Sequence, residues 1–98
     1  MENIKNKIQS VLVCNCVSFE HARELFARYN QLENITHACN DWKEDLKALR
    51  RSHELIRNEK AQACIQAAIQ ETENGIHDFE SHFRDIKERI EHILSEYA

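Results

Sequence analysis

The chain has 98 residues, of which 31% are charged, and its formal net charge is -4. It contains one glycine and no proline, whereas a multi-stranded fold needs several tight turns of the kind that glycine, asparagine and aspartate favour. The composition therefore argues against β-rich folds and predicts an all-α protein, with residues 1–98 forming a single domain.

The longest uncharged stretch, Ile8 to Phe19, includes polar residues and is too short to cross a bilayer, so no membrane span is expected. No charged leader followed by an apolar segment and a cleavage site is recognisable. Four cysteines without an export signal are typical of reduced thiols, and we therefore expect a cytoplasmic protein. Acidic residues predominate over residues 61–98, which disfavours generic nucleic-acid binding.

Hydrophobic spacing predicts a small antiparallel bundle of about four helices, over roughly 3–13, 18–34, 37–73 and 77–97. Asn3 and Ser18 are suitable N-caps for the first two helices, and the connection between them is expected to be buried. The helical signal weakens over residues 33–36, where we predict a break; a helix that continues through these residues is the alternative. The apolar face shifts at residues 57–60, where a kink is expected rather than a loop.

Asn74-Gly75 is predicted to end the third helix, since glycine just after a helix is the usual left-handed stop. The chain would fold back there into a C-terminal helical hairpin in which large residues face small ones. The expected pairs are Phe83 with Ala68, Ile86 with Ile65, and Ile90 with Ala61. A break near Thr36 would set Tyr29 opposite Trp42, Leu25 opposite Leu46, and Ala22 opposite Leu49.

The last predicted helix carries one apolar stripe in which spacings of four and three residues alternate, the rhythm of a helix packed along one side. The stripe consists of Phe79, Phe83, Ile86, Ile90, Ile93 and Tyr97. It is interpreted either as a core contact within this chain or as a seam that extends into a homodimer. The dimer is favoured, because the chain has few aromatic residues, four Phe, one Trp and two Tyr, to build a monomer core.

A row of basic side chains follows one line of the third predicted helix, and we call it the basic ridge. The ridge consists of Lys43, Lys47, Arg50, Arg51 and Arg57. It would suit an acidic partner protein or, when doubled in a dimer, nucleic acid. The alternative is an ordinary solvated helix face whose charges are balanced by neighbouring acids.

Cys14 and Cys16 are separated by one residue and are candidates for a thiol-based metal or redox site. A structural zinc site usually has a second pair of ligands. The nearest imitation, His37 and Cys39, would be about 25 Å away along a helix over 18–34, whereas His21 and His53 could approach the cysteines if the chain forms a hairpin. The alternative is that the cysteines are small buried apolar residues. We expect no metal and no other cofactor.

Signatures of catalysis are not found, since a single glycine excludes a glycine-rich phosphate loop and no hydrolase motif is present. We therefore expect a non-catalytic protein that binds another protein, such as a small inhibitor, an immunity or antitoxin-like protein, or a regulator. The alternatives are a dimeric nucleic-acid-binding regulator that uses residues 43–60 and a sensor built on Cys14 and Cys16. In length and in having a single tryptophan the chain resembles the small secreted helical-hairpin proteins with a Trp-x-Gly turn, but Trp42-Lys43-Glu44 lacks the glycine and no function is inferred from them.

Overall fold

The structure is a computed structural model that describes residues 2–14 and 16–97, without the side chains of Glu2 and Cys14. Three helices make up the regular structure of this part of the chain: α1 (Glu2–Cys14), α2 (Phe19–Leu55) and α3 (Glu59–Ser95). The all-α expectation is confirmed, with three helices instead of about four. No helix among the described residues has a long enough apolar stretch to cross a membrane.

Contacts between residues divide the chain into two units. Unit 1 consists of Met1–Asn34 and Phe83–Ala98, and unit 2 consists of Ile35–His82. In unit 1, α1 packs against the first part of α2 and the last part of α3. In unit 2, the remaining parts of α2 and α3 run antiparallel and are joined by residues 56–58.

Both long helices carry a stripe of buried or half-buried side chains in which spacings of four and three residues alternate. In α2 the stripe consists of Leu25, Arg28, Leu32, Ile35, Cys39, Trp42, Leu46, Leu49 and His53, of which Trp42 is the most exposed at 39%. In α3 and the turn that follows it, the stripe consists of Ile65, Ile69, Thr72, Ile76, Phe79, Phe83, Ile86, Ile90, Ile93 and Tyr97. This seven-residue repeat is typical of helices that pack side by side.

The best-buried side chains lie in unit 1. Leu25, Leu32, Ile90 and Ile93 have no exposed surface. Among the described residues of unit 2, the buried apolar side chains are Ile69 and Ile76. The two-helix unit 2 therefore buries fewer apolar side chains than the three-helix unit 1.

The break expected over residues 33–36 is wrong, because α2 continues from Phe19 to Leu55. Asn34 and Thr36 are weak helix formers, but each costs at most about 0.7 kcal/mol relative to alanine. Ile35 and Cys39 continue the half-buried stripe through this stretch. Packing of the stripe therefore outweighs the low local propensity.

The chain reverses at residues 56–58, between α2 and α3, where only a kink was expected. Asn58 caps α3, since its side-chain oxygen accepts a hydrogen bond from the backbone N–H of Ala61 at 3.1 Å. The side-chain amide of Gln62 donates to the backbone carbonyl of Ile56 at 2.7 Å. These two side chains stabilise a connection that has neither glycine nor proline.

The predicted stop at Gly75 is wrong, because Gly75 lies inside α3 and does not have a positive φ. Asn74 is helical too, and its side chain accepts a hydrogen bond from the Gln70 amide at 3.1 Å. The missing side chain at Gly75 instead permits a close approach: a Cβ there would lie 2.6 Å from Cε3 of Trp42.

The side-chain pairs expected from these two turns are also wrong. Each predicted pair has both members on the same helix, in α3 for the pairs of Phe83, Ile86 and Ile90, and in α2 for the pairs of Tyr29, Leu25 and Ala22. The pairs observed in unit 2 are instead Trp42 with Phe79 and Arg50 with Glu73, on opposite sides of the connection at 56–58.

For the start of the chain, the predictions agree better with the structure. α1 spans Glu2–Cys14 where a helix over 3–13 was expected. The Ser18 hydroxyl accepts a hydrogen bond from the His21 backbone N–H at 3.2 Å, which confirms the predicted cap. The expected burial of the connection after α1 is wrong at Cys16, which is exposed.

Polar contacts join α2 to α3 within unit 1. Nδ1 of His21 lies 2.5 Å from the Tyr97 hydroxyl, and the two rings meet edge to face at 5.6 Å. Arg89 donates two hydrogen bonds to the Glu24 carboxylate, at 2.7 and 3.2 Å. These hydrogen bonds lower the pKa of Glu24, with smaller contributions from the charges of Arg89 and Arg28.

Replacing Glu24 with glutamine should lower the melting temperature near neutral pH, because a neutral amide cannot form the charge-assisted pair with Arg89. The folded state lowers the pKa of Glu24, so its contribution is present above the unfolded-state pKa and is lost as the pH falls through the folded-state pKa. Thermal melts from neutral to acid pH should therefore show a difference from the wild type that disappears in acid. Glu20→Gln, at an exposed site on the same helix, is the matched control; a pH-independent difference for Glu24→Gln would contradict this assignment.

Candidate functional site

Three large apolar side chains of unit 1 are exposed, and we call the two on α2, Phe19 and Phe26, the N-terminal patch. Val13, near the end of α1, is 83% exposed, Phe19 is 79% exposed, and Phe26 is 58% exposed. Phe19 and Phe26 are seven residues apart, about two helical turns, so they share one face of α2. Leu25 and Leu32 occupy the buried stripe of the same helix, and the patch therefore lies outside the core.

A cavity of about 210 Å³ opens beside Phe26, between α1 and α2. It is lined by Lys5, Ile8, Gln9, Leu12, Phe26 and Tyr29. Arg23 lies between Phe19 and Phe26 on the exposed side of α2. Neither Lys5 nor Arg23 has an acidic partner among the described residues, so two unpaired cations border the apolar side chains, together with the exposed carboxylate of Glu20.

A wider groove of about 660 Å³ separates α1 from the end of α3 in unit 1. It is lined by Asn3, Asn6, Lys7, Ser10, Val11, Glu91, Leu94 and Ser95. Because Lys7 and Glu91 are both present, this groove has no preference for one sign of charge.

A second apolar site lies in unit 2, and we call it the Trp42 cavity. It has a volume of about 280 Å³ and is lined by Trp42, Gly75, Asp78, Phe79 and His82. The rings of Trp42 and Phe79 meet edge to face, with centroids 5.4 Å apart and an angle of 89° between the planes, a favourable geometry for aromatic pairs. The Trp42 ring lies against the backbone at Gly75, which fixes one wall of the cavity.

The basic ridge is partly neutralised in the structure. Lys47 pairs with Glu44 at 3.2 Å on the same helix, and Arg50 pairs with Glu73 of α3 at 3.0 Å. Lys43 and Arg51 are exposed on α2 and have no acidic partner among the described residues. Arg57 lies in the connection between the helices, so the predicted continuous helical line ends before it.

The metal or redox site predicted from the cysteines is not assembled by the described residues. Cys16 is free and exposed, and the side chain of Cys14 lies outside the part of the chain that the structure describes. The hairpin that would have brought His21 towards His53 is absent because α2 is continuous. No group of three or more His, Cys, Asp or Glu side chains within the described residues is arranged to hold a metal ion.

Comparison of the chain with protein-family models, with curated proteins and with solved structures found no match. The case for a function therefore rests on the two apolar sites, which sequence reasoning did not single out. A signal for the N-terminal patch was present, since Phe19 and Phe26 flank Arg23 at helical spacing off the stripe of Leu25. The Trp42 cavity had no such signal, because it depends on which part of α3 faces Trp42.

Proposed function

We propose that the chain is a non-catalytic protein-interaction module that binds a partner protein through the N-terminal patch. The observation that carries the proposal is the exposure of Phe19 and Phe26 on one face of α2. Scattered exposed apolar residues are ordinary, whereas clustered ones with a polar rim are typical of protein-binding surfaces. A small inhibitor, an immunity or antitoxin-like protein, or a regulator would present such a surface.

The partner segment we propose is an amphipathic helix with large apolar side chains and acidic residues beside them. The cavity next to Phe26 would receive one apolar side chain. Lys5 and Arg23, which have no acidic partner among the described residues, would face the carboxylates and help to set the orientation of the partner. A second copy of this chain is the alternative occupant and would make the protein a homodimer.

The test is capture of a partner from a lysate of the native host, followed by affinity measurement with the purified partner. Phe19→Ser/Phe26→Ser should weaken binding by about 30-fold or more, as expected for the loss of a central apolar anchor. Leu55→Ser is the matched control, because Leu55 is 74% exposed in unit 2, and it should bind as the wild type does. Light scattering of the purified chain alone measures its molar mass and shows whether it is a homodimer.

The proposal fails if no protein is retained by the wild type, or if the double variant retains the partner as well as Leu55→Ser does. A homodimer that dissociates only in the double variant would replace the partner protein with a second copy of the chain. Circular dichroism of both variants should show unchanged helicity, since the altered side chains are exposed.

Nucleic-acid binding by the basic ridge is a second candidate, favoured by Lys43 and Arg51, which are exposed and have no acidic partner in the part of the chain that the structure describes. A gel shift with duplex DNA and with RNA at increasing salt checks it, because phosphate contacts give affinities that fall steeply with salt. Loss of the shift in Lys43→Glu/Arg51→Glu would support this candidate. No shift at low salt would eliminate it.

We also propose a cytoplasmic location, which is supported by the free, exposed thiols of Cys16 and Cys64. Exposed free cysteines persist in reducing compartments and are oxidised elsewhere. A thiol sensor based on Cys14 and Cys16 is a weaker candidate. Metal analysis of the purified protein and of Cys14→Ser/Cys16→Ser tests the metal form of this sensor, which equal metal contents would remove; a variant that behaves as the wild type does on oxidation would remove the redox form.

A further inference from the structure

Two neighbouring cavities follow one side of the unit 2 hairpin. Beside the Trp42 cavity lies a groove of about 350 Å³ lined by Asp45, Ala48, Leu49, Ser52 and Thr72. Asp45 comes three residues after Trp42 and Thr72 three residues before Gly75, so the groove continues the cavity by one turn of each helix. The charged or titratable side chains that line the two sites are the carboxylates of Asp45 and Asp78 and the imidazole of His82, and neither lining includes a lysine or arginine.

The Trp42 cavity combines aromatic walls with an unpaired carboxylate. Trp42 is 39% exposed, and tryptophan attracts cations most strongly among the aromatic side chains. Asp78 is exposed and has no cationic partner among the described residues. A cation in this cavity would therefore gain both the attraction of the ring and a charge-assisted hydrogen bond to Asp78.

The size of the cavity indicates what kind of cation it can hold. Its volume of about 280 Å³ is at the lower limit of sites that enclose a whole small molecule, which span about 300–1,000 Å³. One long side chain fits this volume better. The methylene stem of a lysine or arginine would lie along Phe79 and beside the Trp42 ring, while its charged end would reach Asp78.

We infer that the Trp42 cavity is a recognition site for a single arginine or lysine side chain of a partner peptide, with Asp45 available to a second basic residue one turn away. The site lies in unit 2 and does not depend on the N-terminal patch, so it goes beyond the proposed function. A binder that presents basic residues at helical spacing would place them in both cavities.

The experiment uses Trp42 itself, because it is the only tryptophan in the chain and its fluorescence reports directly on the cavity. The intact protein is titrated with a capped peptide of arginine and serine, and separately with the same peptide in which citrulline replaces arginine. Citrulline has nearly the same shape as arginine but no charge. The arginine peptide should change the emission of Trp42 in a saturable way, and the citrulline peptide should not.

Variants of α3 then separate a specific site from general charge attraction. Asp78→Asn should weaken binding of the arginine peptide about tenfold, the usual effect of removing a charge-assisted hydrogen bond. Asp85→Asn makes the same charge change one heptad later on α3 and should bind the peptide as the wild type does. Without peptide, the Trp42 emission of Asp78→Asn and of Asp85→Asn should match that of the wild type.

The inference is overturned if the arginine peptide leaves the emission of Trp42 unchanged up to millimolar concentrations. It is also overturned if the citrulline peptide binds equally well, since the cavity would then select apolar shape and not charge. Equal weakening in Asp78→Asn and Asp85→Asn would reduce the effect to non-specific attraction. None of these results bears on capture of a partner by Phe19 and Phe26, so the two proposals fail separately.

Discussion

Replacing Ile90 with alanine is expected to lower the free energy of unfolding by about 2–5 kcal/mol. Ile90 lies on the α3 stripe in unit 1, and it has no exposed surface. Truncation there removes buried methylene and methyl groups and leaves a cavity that the surrounding helices can only partly fill. Because small domains have total stabilities of about 5–15 kcal/mol, such a loss would be a large fraction of the whole.

Urea denaturation followed by circular dichroism measures this effect. Phe19→Ala is the matched control, since it removes a larger apolar side chain that is 79% exposed, and it should change the stability by less than about 0.5 kcal/mol. If both variants unfold at the same urea concentration, the assignment of Ile90 to the core of unit 1 is wrong.

Replacing Gly75 with alanine is expected to destabilise the protein by about 1–3 kcal/mol, the usual cost of overpacking. The new Cβ would lie 2.6 Å from Cε3 and 2.8 Å from Cη2 of Trp42, so the indole ring would have to move. That ring already packs edge to face on Phe79. The stability lost through this clash should therefore exceed the gain of about 1 kcal/mol that alanine has over glycine inside a helix.

A double-mutant cycle with Trp42 shows whether this reason is correct. In a Trp42→Ala background the obstacle is gone, and Gly75→Ala should now stabilise the protein by up to about 1 kcal/mol. A turn at Gly75 with a positive φ would behave differently, because alanine would then be unfavourable in both backgrounds. A destabilising effect of Gly75→Ala that persists without Trp42 would thus favour the turn and refute the continuous helix.

The sequence predicts the helical class well, because one glycine and no proline leave few sites for tight turns. It also locates α1 and the cap at Ser18, since both depend on residues within a few positions of each other. The position at which the chain reverses is not predicted correctly. Asn74-Gly75 has the strongest local turn signal in the chain, yet Gly75 is helical. The glycine is needed there because Trp42, 33 residues earlier, leaves no room for a Cβ.

The actual connection at residues 56–58 has a weak local signal. It depends on Asn58 as a cap and on the hydrogen bond from Gln62 to the carbonyl of Ile56, and neither side chain is distinctive in a helical pattern. The polar Thr72 also interrupts the apolar stripe of α3 just before Gly75, which conceals its continuity. Its hydroxyl in fact donates to the Ala68 carbonyl at 2.8 Å, within the helix.

The candidate sites were less predictable than the fold, because they depend on what each helix leaves uncovered. Phe26 belongs to the same run of apolar residues as Leu25, and the sequence does not say that α1 leaves Phe26 58% exposed. The basic ridge was visible in the sequence, but its pairing with α3 through Arg50 and Glu73 follows only from the register of the hairpin. Exposure and register are tertiary properties, and local patterns determine them poorly.

The division of the chain also affects how its two units depend on each other during folding. Unit 2 is one continuous segment, Ile35–His82, whereas unit 1 is built from the two segments on either side of it. With unit 2 unfolded, closing unit 1 means closing a loop of about fifty residues, at an entropic cost of about 3 kcal/mol. A formed hairpin removes most of that cost, because only three residues separate α2 from α3 at residues 56–58. The covalent path of the chain thus makes unit 2, which has the smaller buried core, a support for the folding of unit 1.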